Sequence, residues 1–429
     1  MSSPLRLGIA GLGTVGIGVV KIVQKHADLV AMRSGRPVAI TAVSARDRMK
    51  NRDADLSSYR WEADPMAVAT AEDVDVFIEL VGGDAGIARD SIEAALRSGK
   101  DVVTANKALL AMHGHHLAQL AESLGRVIRF EAAVAGGIPV IKSMTESLAG
   151  NRITRVMGVM NGTCNYILTR MESAGLPYDA VFEEARQLGY LEADPTLDVG
   201  GIDAGHKLAI LSSIAFGTQV NFDAVEIEGI ERVSIDDIHR ARDMGYRIKL
   251  LGVAQMTARG LEQRMSPCLV PADSPLGQLV GGTNMVVIEG DSVGQIVLRG
   301  AGAGEGPTAS AVMSDIVEIA RGVRMPVFGQ PAQTLTAAQP ARTAVPAAYY
   351  IRLELQDKPG ALAKVATVLG DAGISIDRMR QYGQHSPASV PVLVVTHKTT
   401  PEAIDYAIEA LPRTGVLVSD PVELRIEEV

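Results

Sequence analysis

The sequence predicts an α/β chain in three parts: a doubly wound parallel sheet, an α+β middle section, and a small βαββαβ unit at the C-terminal end. Three observations carry this. Short β-branched runs alternate with helical patterns in the first third, the signature of strand-helix-strand units and a parallel sheet. Gly11, Gly13 and Gly16 follow the first of these strands at the G-x-G-x-x-G spacing. After residue 348 the runs follow the order strand, helix, strand, strand, helix, strand. At about 150 residues per domain, 429 residues suffice for two or three domains, each with its own core.

Each element has a local reason. Strands are predicted at 5–10, 39–45, 74–81, 101–104 and 126–131, where β-branched residues cluster. Helices are predicted at 15–30, 86–98 and 108–124, where apolar residues recur every three or four positions. From about 138 to 300, helices mix with longer alternating strands at 155–160, 250–255, 285–288 and 295–298, and a helix at 308–321 follows a Gly-rich turn. The stretch 326–346, with Pro331 and Pro340 and little periodicity, reads as a linker. Beyond it, 349–381 holds a strand, a turn at Pro359 and Gly360, an amphipathic helix and a second strand. A strand at 390–396, a helix at 401–411 and a strand at 422–426 complete the unit. The expected domains are 1–137, completed by a returning helix at 306–325, then 138–305, a linker at 326–347, and 348–429.

Composition excludes several classes. A net charge of −9 and the lack of a long Lys/Arg run argue against a nucleic-acid partner, because neutralising phosphates needs a basic surface. Apolar residues at 47% and aromatics at only 4% suit an α/β enzyme with small-molecule partners. Cys164 and Cys268 are too few for a disulfide framework and too far apart for a metal motif, which fits a reducing cytosol. No apolar run approaches the ~20 residues of a membrane helix, and no secretory leader is recognisable before the first strand. A cytoplasmic protein is expected.

In the string GLGTVG, Gly11 allows the tight turn, Gly13 lets backbone approach a pyrophosphate, and Gly16 lets helix and strand pack closely. The helix that follows, predicted from Val15, offers free N–H groups and its positive dipole end to the phosphates, so Thr14 and Val15 are expected at the cofactor. A dinucleotide site is therefore expected. The second strand ends in Val43-Ser44-Ala45-Arg46 rather than in an acidic residue, with Lys50 nearby. Arg46 favours NADP, through its 2′-phosphate, while neighbouring Asp47 leaves NAD open as a second cofactor.

Three further strings are TANK at 104–107, NGTCN at 161–165, and GYLEADPTLDVGGIDAGHKLAIL from Gly189. In the last, Asp203 and Lys207 are four residues apart on a predicted helix and share a face. An exposed pair there would contribute only ~0.3–0.5 kcal/mol. The surrounding Ile202, Leu208, Ile210, Leu211 and Ile214 are apolar enough to bury it, and a buried pair costs several kcal/mol to desolvate. It then needs strong partners or a functional reason. His113, His115 and His116 cluster on a polar stretch without acidic or Cys partners at zinc spacing, so a solvated helix face is the better account of them.

The segment from Gly189, together with TANK, NGTCN, FEAAVAGGIPV at 130–140 and GAGAGEGPTASAV from Gly300, resembles homoserine dehydrogenases over residues 5 to 325. The resemblance implies a Rossmann-type nucleotide-binding domain and an α+β catalytic and dimerisation domain in a homo-oligomer, dimer or tetramer. It also implies NAD(P)-dependent interconversion of aspartate semialdehyde and homoserine, at a branch of threonine, isoleucine and methionine synthesis. Lys207 and Lys107 would polarise the carbonyl and move the proton, in an order left open. Glu192 and Asp203 would hold the substrate ammonium and a bridging water, and Gly162 and Thr163 would line the cleft. Lys107 and Gly304 would also meet the cofactor. A monovalent cation, usually sodium, would be bound by the carbonyls of Glu131, Val134, Gly136 and Ile138.

The C-terminal unit is ferredoxin-like and resembles an ACT domain, which binds amino acids where two copies pair. The resemblance rests on the DKPGALAKVA turn, 357–366. It implies threonine as effector, taken up by the turn Asp357 to Leu362, with Gly360 and Ala361 in its backbone, facing Ile374, Ser375 and Ile376. A chain ending after Pro340 is then expected to remain active and become insensitive. Two other readings stay open: another ACT-bearing dehydrogenase, against which the lack of a motif-borne catalytic His counts, and a non-catalytic amino-acid sensor.

Overall fold

A computed structural model describes residues 3–191, 194–341, 345–383 and 389–428. Among these, two sheets form. The first is parallel throughout: β1 (Leu5–Ala10), β2 (Val38–Ser44), β3 (Arg60–Glu62), β4 (Val76–Glu79), β5 (Asp101–Thr104) and β6 (Ile128–Arg129), in the order β3-β2-β1-β4-β5-β6. Helices cover both faces, so its central strands are apolar on both sides: Leu7, Ile9, Val76, Phe77, Ile78, Val102 and Val103 are buried. The order reverses between β1 and β4, and a ligand crevice opens at such a switch point, beyond the carboxyl ends of the strands.

The second sheet holds β7 (Ile153–Val159), β8 (Glu226–Ile227), β9 (Tyr246–Thr257), β10 (Gly260–Pro271), β11 (Thr283–Gly290), β12 (Gly294–Ala301), β13 (Ala348–Gln356), β14 (Ile376–Gln381), β15 (Ser389–Thr396) and β16 (Val422–Ile426). Its order is β12-β11-β7-β9-β10-β16-β13-β15-β14, with β8 paired to β10. The last strand lies between two others. β16 pairs parallel with β10 (Cys268 to Arg425) and antiparallel with β13, so one sheet runs through the middle section and the C-terminal unit.

Several expected elements are reshaped by local hydrogen bonding. The helix expected over 15–30 is two, Thr14–Lys25 and Ala27–Ser34, joined at His26, whose N–H closes the first while its carbonyl opens the second. The strand expected over 74–81 stops at Glu79, because the buried Glu79 carboxylate takes the N–H groups of Val81 and Gly82 and turns the chain. β6 is short because Glu131–Ala133 coil into a 3-10 turn. β3 was invisible to periodicity at three residues.

Residues 326–341 are held against the body. Phe328 is buried with its ring 5.4 Å from that of Phe130, the Glu122 carboxylate accepts Val327 N and Ala332 N, and Leu261 exchanges backbone hydrogen bonds with Gln339 and Ala341. The low periodicity there reflects backbone anchored by carboxylate and edge-strand bonds rather than by a repeating apolar face.

One expectation about the C-terminal unit is corrected. β13 and β14 are both antiparallel to β15, hence parallel to each other; Gln356, just before the turn, pairs with Ser389, whereas Ile376 pairs with Thr396. The turn at 357–362 and the segment 374–376 therefore lie at opposite ends of the sheet, about 20 Å or more apart at ~3.4 Å per residue. They do not face each other within one chain. A strand-helix-strand connection returns the chain to the starting end of the sheet, which is why the two segments are separated.

Candidate active site

The motif strings converge on one cleft of about 690 Å³ between the parallel sheet and the middle section, lined among others by Thr14, Val15, Lys107, Gly136, Gly162, Thr163, Asp203, Lys207 and Gly304. Its nucleotide side starts at the glycine turn. Gly11 has φ +98°, and a Cβ there would lie 2.2 Å from the Leu80 carbonyl oxygen; a Cβ on Gly16 would lie 2.0 Å from that of Gly11. On Gly13 a Cβ would meet nothing within 4 Å, so the backbone is open there. Helix Glu305–Ala320 starts after Gly304, at φ +115°. Two helix N-termini thus point their positive ends into the cleft, as an anionic cofactor requires.

Lys107 enters from the other half of the same domain. Asn106 caps helix Lys107–Ser123, accepting Leu109 N through Oδ1 and donating to Gly83 O, while Thr104 donates to the buried Glu79. Three of the four TANK residues thus have separate tasks, two that shape the turn and one, Lys107, that reaches across it.

The ammonium of Lys107 lies 3.1 Å from Asp203 Oδ1, and that of Lys207 lies 2.7 Å from Asp203 Oδ2 and donates to Met160 O at 2.8 Å. Asn161 Nδ2 donates to Asp203 Oδ2 as well, and to Asp198 Oδ1 at 2.9 Å, while its Oδ1 caps helix Gly162–Ala174 at Cys164 N. Burial would push the Asp203 carboxyl up, but the two ammonium groups outweigh it and hold the group well below the usual carboxylate range. Of the pair expected to be buried, Lys207 is only 8% exposed and Asp203 is partly buried, and the more open Lys107 joins them. Asn161, Asp198 and Asn284, which donates to Met160 O at 3.0 Å, were not singled out from the sequence. The first two sit inside quoted motifs, and that was their only signal; Asn284, 124 residues from Met160, had none.

Thr163 donates to Tyr190 O at 2.9 Å, and Tyr190 stacks on Tyr166 with ring centroids 4.4 Å apart. Leu191 lines the cleft; Glu192, next in sequence, lies outside the described residues. Arg46 is exposed beyond the end of β2 and away from the cleft lining. Beside it, Arg48 and Arg52 lie 5.9 and 5.5 Å from the Trp61 ring centroid, and Arg52 donates to Leu12 O, just before Gly13. His206 packs on the Phe222 ring, and burial lowers its pKa.

At 131–138 the Glu131 carboxylate is taken by Ile141 N and Lys142 N, so it does not face a cation. Ala135 and Gly136 are both left-handed, at φ +57° and +56°, and curl the chain. Among the described residues, Val134 O and Gly136 O accept no hydrogen bond, although Val134 is fully buried. Such carbonyls fit a monovalent cation bound by backbone. No group of three His, Cys, Asp or Glu side chains that could hold a metal occurs among the described residues, and His116 pairs with Glu93 instead.

Similarity to known proteins extends over the whole chain. A family model described as homoserine dehydrogenase matches residues 139–317, one for the homoserine dehydrogenase NAD binding domain matches 11–131, and an ACT domain model matches 349–413. The homoserine dehydrogenase of Neisseria gonorrhoeae is 40% identical over 433 residues, and that of Pseudomonas aeruginosa 41% over 435, each covering 99% of both chains. The crystal structure of a homoserine dehydrogenase from Thiobacillus denitrificans superposes with a TM-score of 0.94 at 38% identity over 99% of each chain. A hyperthermophilic archaeal homoserine dehydrogenase in complex with NADPH matches 74% of this chain and 97% of its own, with a TM-score of 0.63 at 25% identity.

Proposed function

The chain belongs to the homoserine dehydrogenase family, and from that premise we propose that Lys107, Asp203 and Lys207 are the groups through which it interconverts aspartate semialdehyde and homoserine. It is an oxidoreductase of amino-acid biosynthesis acting on a CH–OH group, with a nicotinamide cofactor, and the two other readings of the sequence fall away. The cofactor supplies or receives hydride at the carbonyl carbon. As the aldehyde is reduced, its oxygen gains negative charge and needs a cation and a proton.

The observation that carries the assignment is the cluster itself. Asp203 draws two ammonium groups, from different domains, to one point in the cleft, and each would otherwise repel the other. An ammonium has three N–H donors; Met160 O and Asp203 take two from Lys207, which leaves one for the substrate oxygen. With both Asp203 oxygens committed to the lysines and Asn161, its role is to hold them. Glu192, next to Leu191 in sequence, and the cleft-lining Asp198 are then the carboxylates for the substrate ammonium, and Gly162 and Thr163 line the same cleft. Lys207→Ala and Lys107→Ala should each lower turnover by ~10²-fold or more, with nucleotide binding retained for Lys207→Ala. Normal turnover in a folded Lys207→Ala enzyme would exclude the cluster from catalysis.

Four finer readings accompany this one. NADP is the preferred cofactor, supported by Arg46 and by the neighbouring Arg48 and Arg52; NAD is the second. Sodium binds the carbonyls of Glu131, Val134, Gly136 and Ile138, supported by the curled backbone at Ala135 and Gly136. Replacing sodium by tetramethylammonium at equal ionic strength should lower activity, and an unchanged rate would exclude the site. The domain division at 137, 305 and 347 is kept; the family matches, 11–131, 139–317 and 349–413, support the first and last of these boundaries, while the middle one rests on the helix at 305–320 packing on the first domain. The enzyme is a cytoplasmic homo-oligomer inhibited by threonine through residues 348–429; both cysteines are free and buried, and among the described residues no helix is long and apolar enough to cross a membrane.

A further inference from the structure

Lys249 lies in the middle section, on β9, outside every motif that the reaction uses, and it is only 3% exposed. Among the described residues no carboxylate lies within ion-pair distance of its ammonium. It donates instead to two neutral acceptors, Asn165 Oδ1 at 2.9 Å and the carbonyl oxygen of Leu279. Burial pushes its pKa down to about 8, against a smaller pull upward from Glu172. A buried ammonium without a counter-ion is costly, and a Met or Leu would fill the same volume at less cost, so the charge calls for a reason.

That reason lies in what the two acceptors hold. Asn165 belongs to helix Gly162–Ala174, which opens with the cleft-lining Gly162 and Thr163, and its Nδ2 donates to Gly281 O at 2.7 Å. Leu279 and Gly281 belong to the loop between β10 and β11, and Gly282, next along, lines the cleft. Loop and helix start are in such close contact that a Cβ on Gly162 would lie 2.5 Å from Gly282 O, and one on Gly282 would lie 3.4 Å from the Tyr190 ring. Two residues further on, Asn284 donates to Met160 O, the same carbonyl that receives Lys207. Lys249 thus ties strand β9, the helix start and the loop together at the back of the substrate end of the cleft.

We propose that Lys249 is a positioning residue for the amino-acid substrate: through Asn165 and Leu279 it sets the Gly281-Gly282 backbone against the Gly162-Thr163 turn. It touches neither substrate nor cofactor. The inference rests on the reading of this cleft as the substrate site. A Met in its place keeps the apolar stem and removes all three donors, leaving the loop free to move away from the helix start.

Steady-state kinetics of Lys249→Met in the full-length enzyme tests this, beside Lys207→Ala as the control for the cleft. KM for homoserine should rise about tenfold or more, while KM for the nucleotide stays within about twofold, since the loop meets the substrate end alone. Asn165→Ala should reproduce the split, and the double variant should be no worse than either single one, because both cut one linkage. Equal rises in both KM values, or an unchanged KM for homoserine in folded protein, would overturn the proposal. If Lys249→Met does not accumulate folded, Asn165→Ala carries the same comparison. Loss of turnover in Lys207→Ala with no KM split in these variants condemns the Lys249 inference alone; undiminished turnover in Lys207→Ala condemns the reading of the cleft.

Discussion

At the residue scale the site depends on one carboxylate. Asp203 has its pKa depressed in the folded chain, so its contribution to stability is fully present above the unfolded value of ~3.9 and is lost as pH falls through the folded one. Asp203→Asn removes the charge that lets Lys107 and Lys207 approach. At neutral pH it should cost about 3–5 kcal/mol, the usual range when a buried pair loses one partner, and it should abolish turnover. The gap in stability between Asp203→Asn and the parent should narrow as pH drops below about 4. Denaturant melts across that range measure it, and a gap independent of pH would mean that the carboxylate is not held by the lysines. Arg46 makes a separate prediction, because a guanidinium binds a phosphate in a bidentate way that Ala cannot. Arg46→Ala should raise KM for NADP about tenfold or more and leave KM for NAD within twofold; parallel changes would place the 2′-phosphate elsewhere.

At the element scale the informative piece is β16. Its outgoing residue Glu427 is buried and meets Arg264, itself buried and also held by Glu262 at 3.0 Å, and Arg425 at 2.6 Å. Burial would pull the Arg264 pKa down, but Glu427 and Glu262 outweigh it and keep the guanidinium charged. Glu427→Ala strands a buried guanidinium with one carboxylate fewer, and should destabilise by about 3 kcal/mol, the lower end for a broken buried pair, because Glu262 remains. Glu427→Gln keeps hydrogen bonding and should cost less. Thermal melts of the two order them, and equal losses would assign the effect to packing rather than charge.

At the scale of the whole molecule, the C-terminal unit is sewn into the catalytic sheet through β16, and this changes what truncation does. A chain ending after Pro340 loses β16 and Glu427 and exposes the edge of β10, so it should be less stable and prone to associate through that edge, not merely insensitive to an effector. Control is better tested in the full chain. The turn at 357–362 and the segment 374–376 lie at opposite ends of one sheet, so a pocket that used both would take Asp357 from one copy and Ser375 from another. Asp357→Ala and Ser375→Ala should each weaken inhibition by threonine about tenfold, with turnover in its absence kept within twofold. Coupling of 1–3 kcal/mol corresponds to roughly 5- to 150-fold in affinity. Full inhibition of both variants, or none in the parent, would leave this unit as a dimerisation module.

Much of this was legible in the sequence because it is local. The alternation of runs, the spacing of Gly11, Gly13 and Gly16, and the four-residue step from Asp203 to Lys207 are set by backbone geometry within a turn or two, so composition and periodicity report them. The motif strings likewise supplied Lys107, Gly162 and Thr163. What only the tertiary structure decided is long-range pairing. The meeting of Lys107 with Asp203 joins residues 96 apart, the hold of Lys249 on Leu279 crosses from a strand to a loop, and β16 enters between β10 and β13. Such contacts leave no periodic trace, since a buried polar group answers only to the partner that satisfies it, and that partner is chosen by the fold and not by the neighbours in the chain.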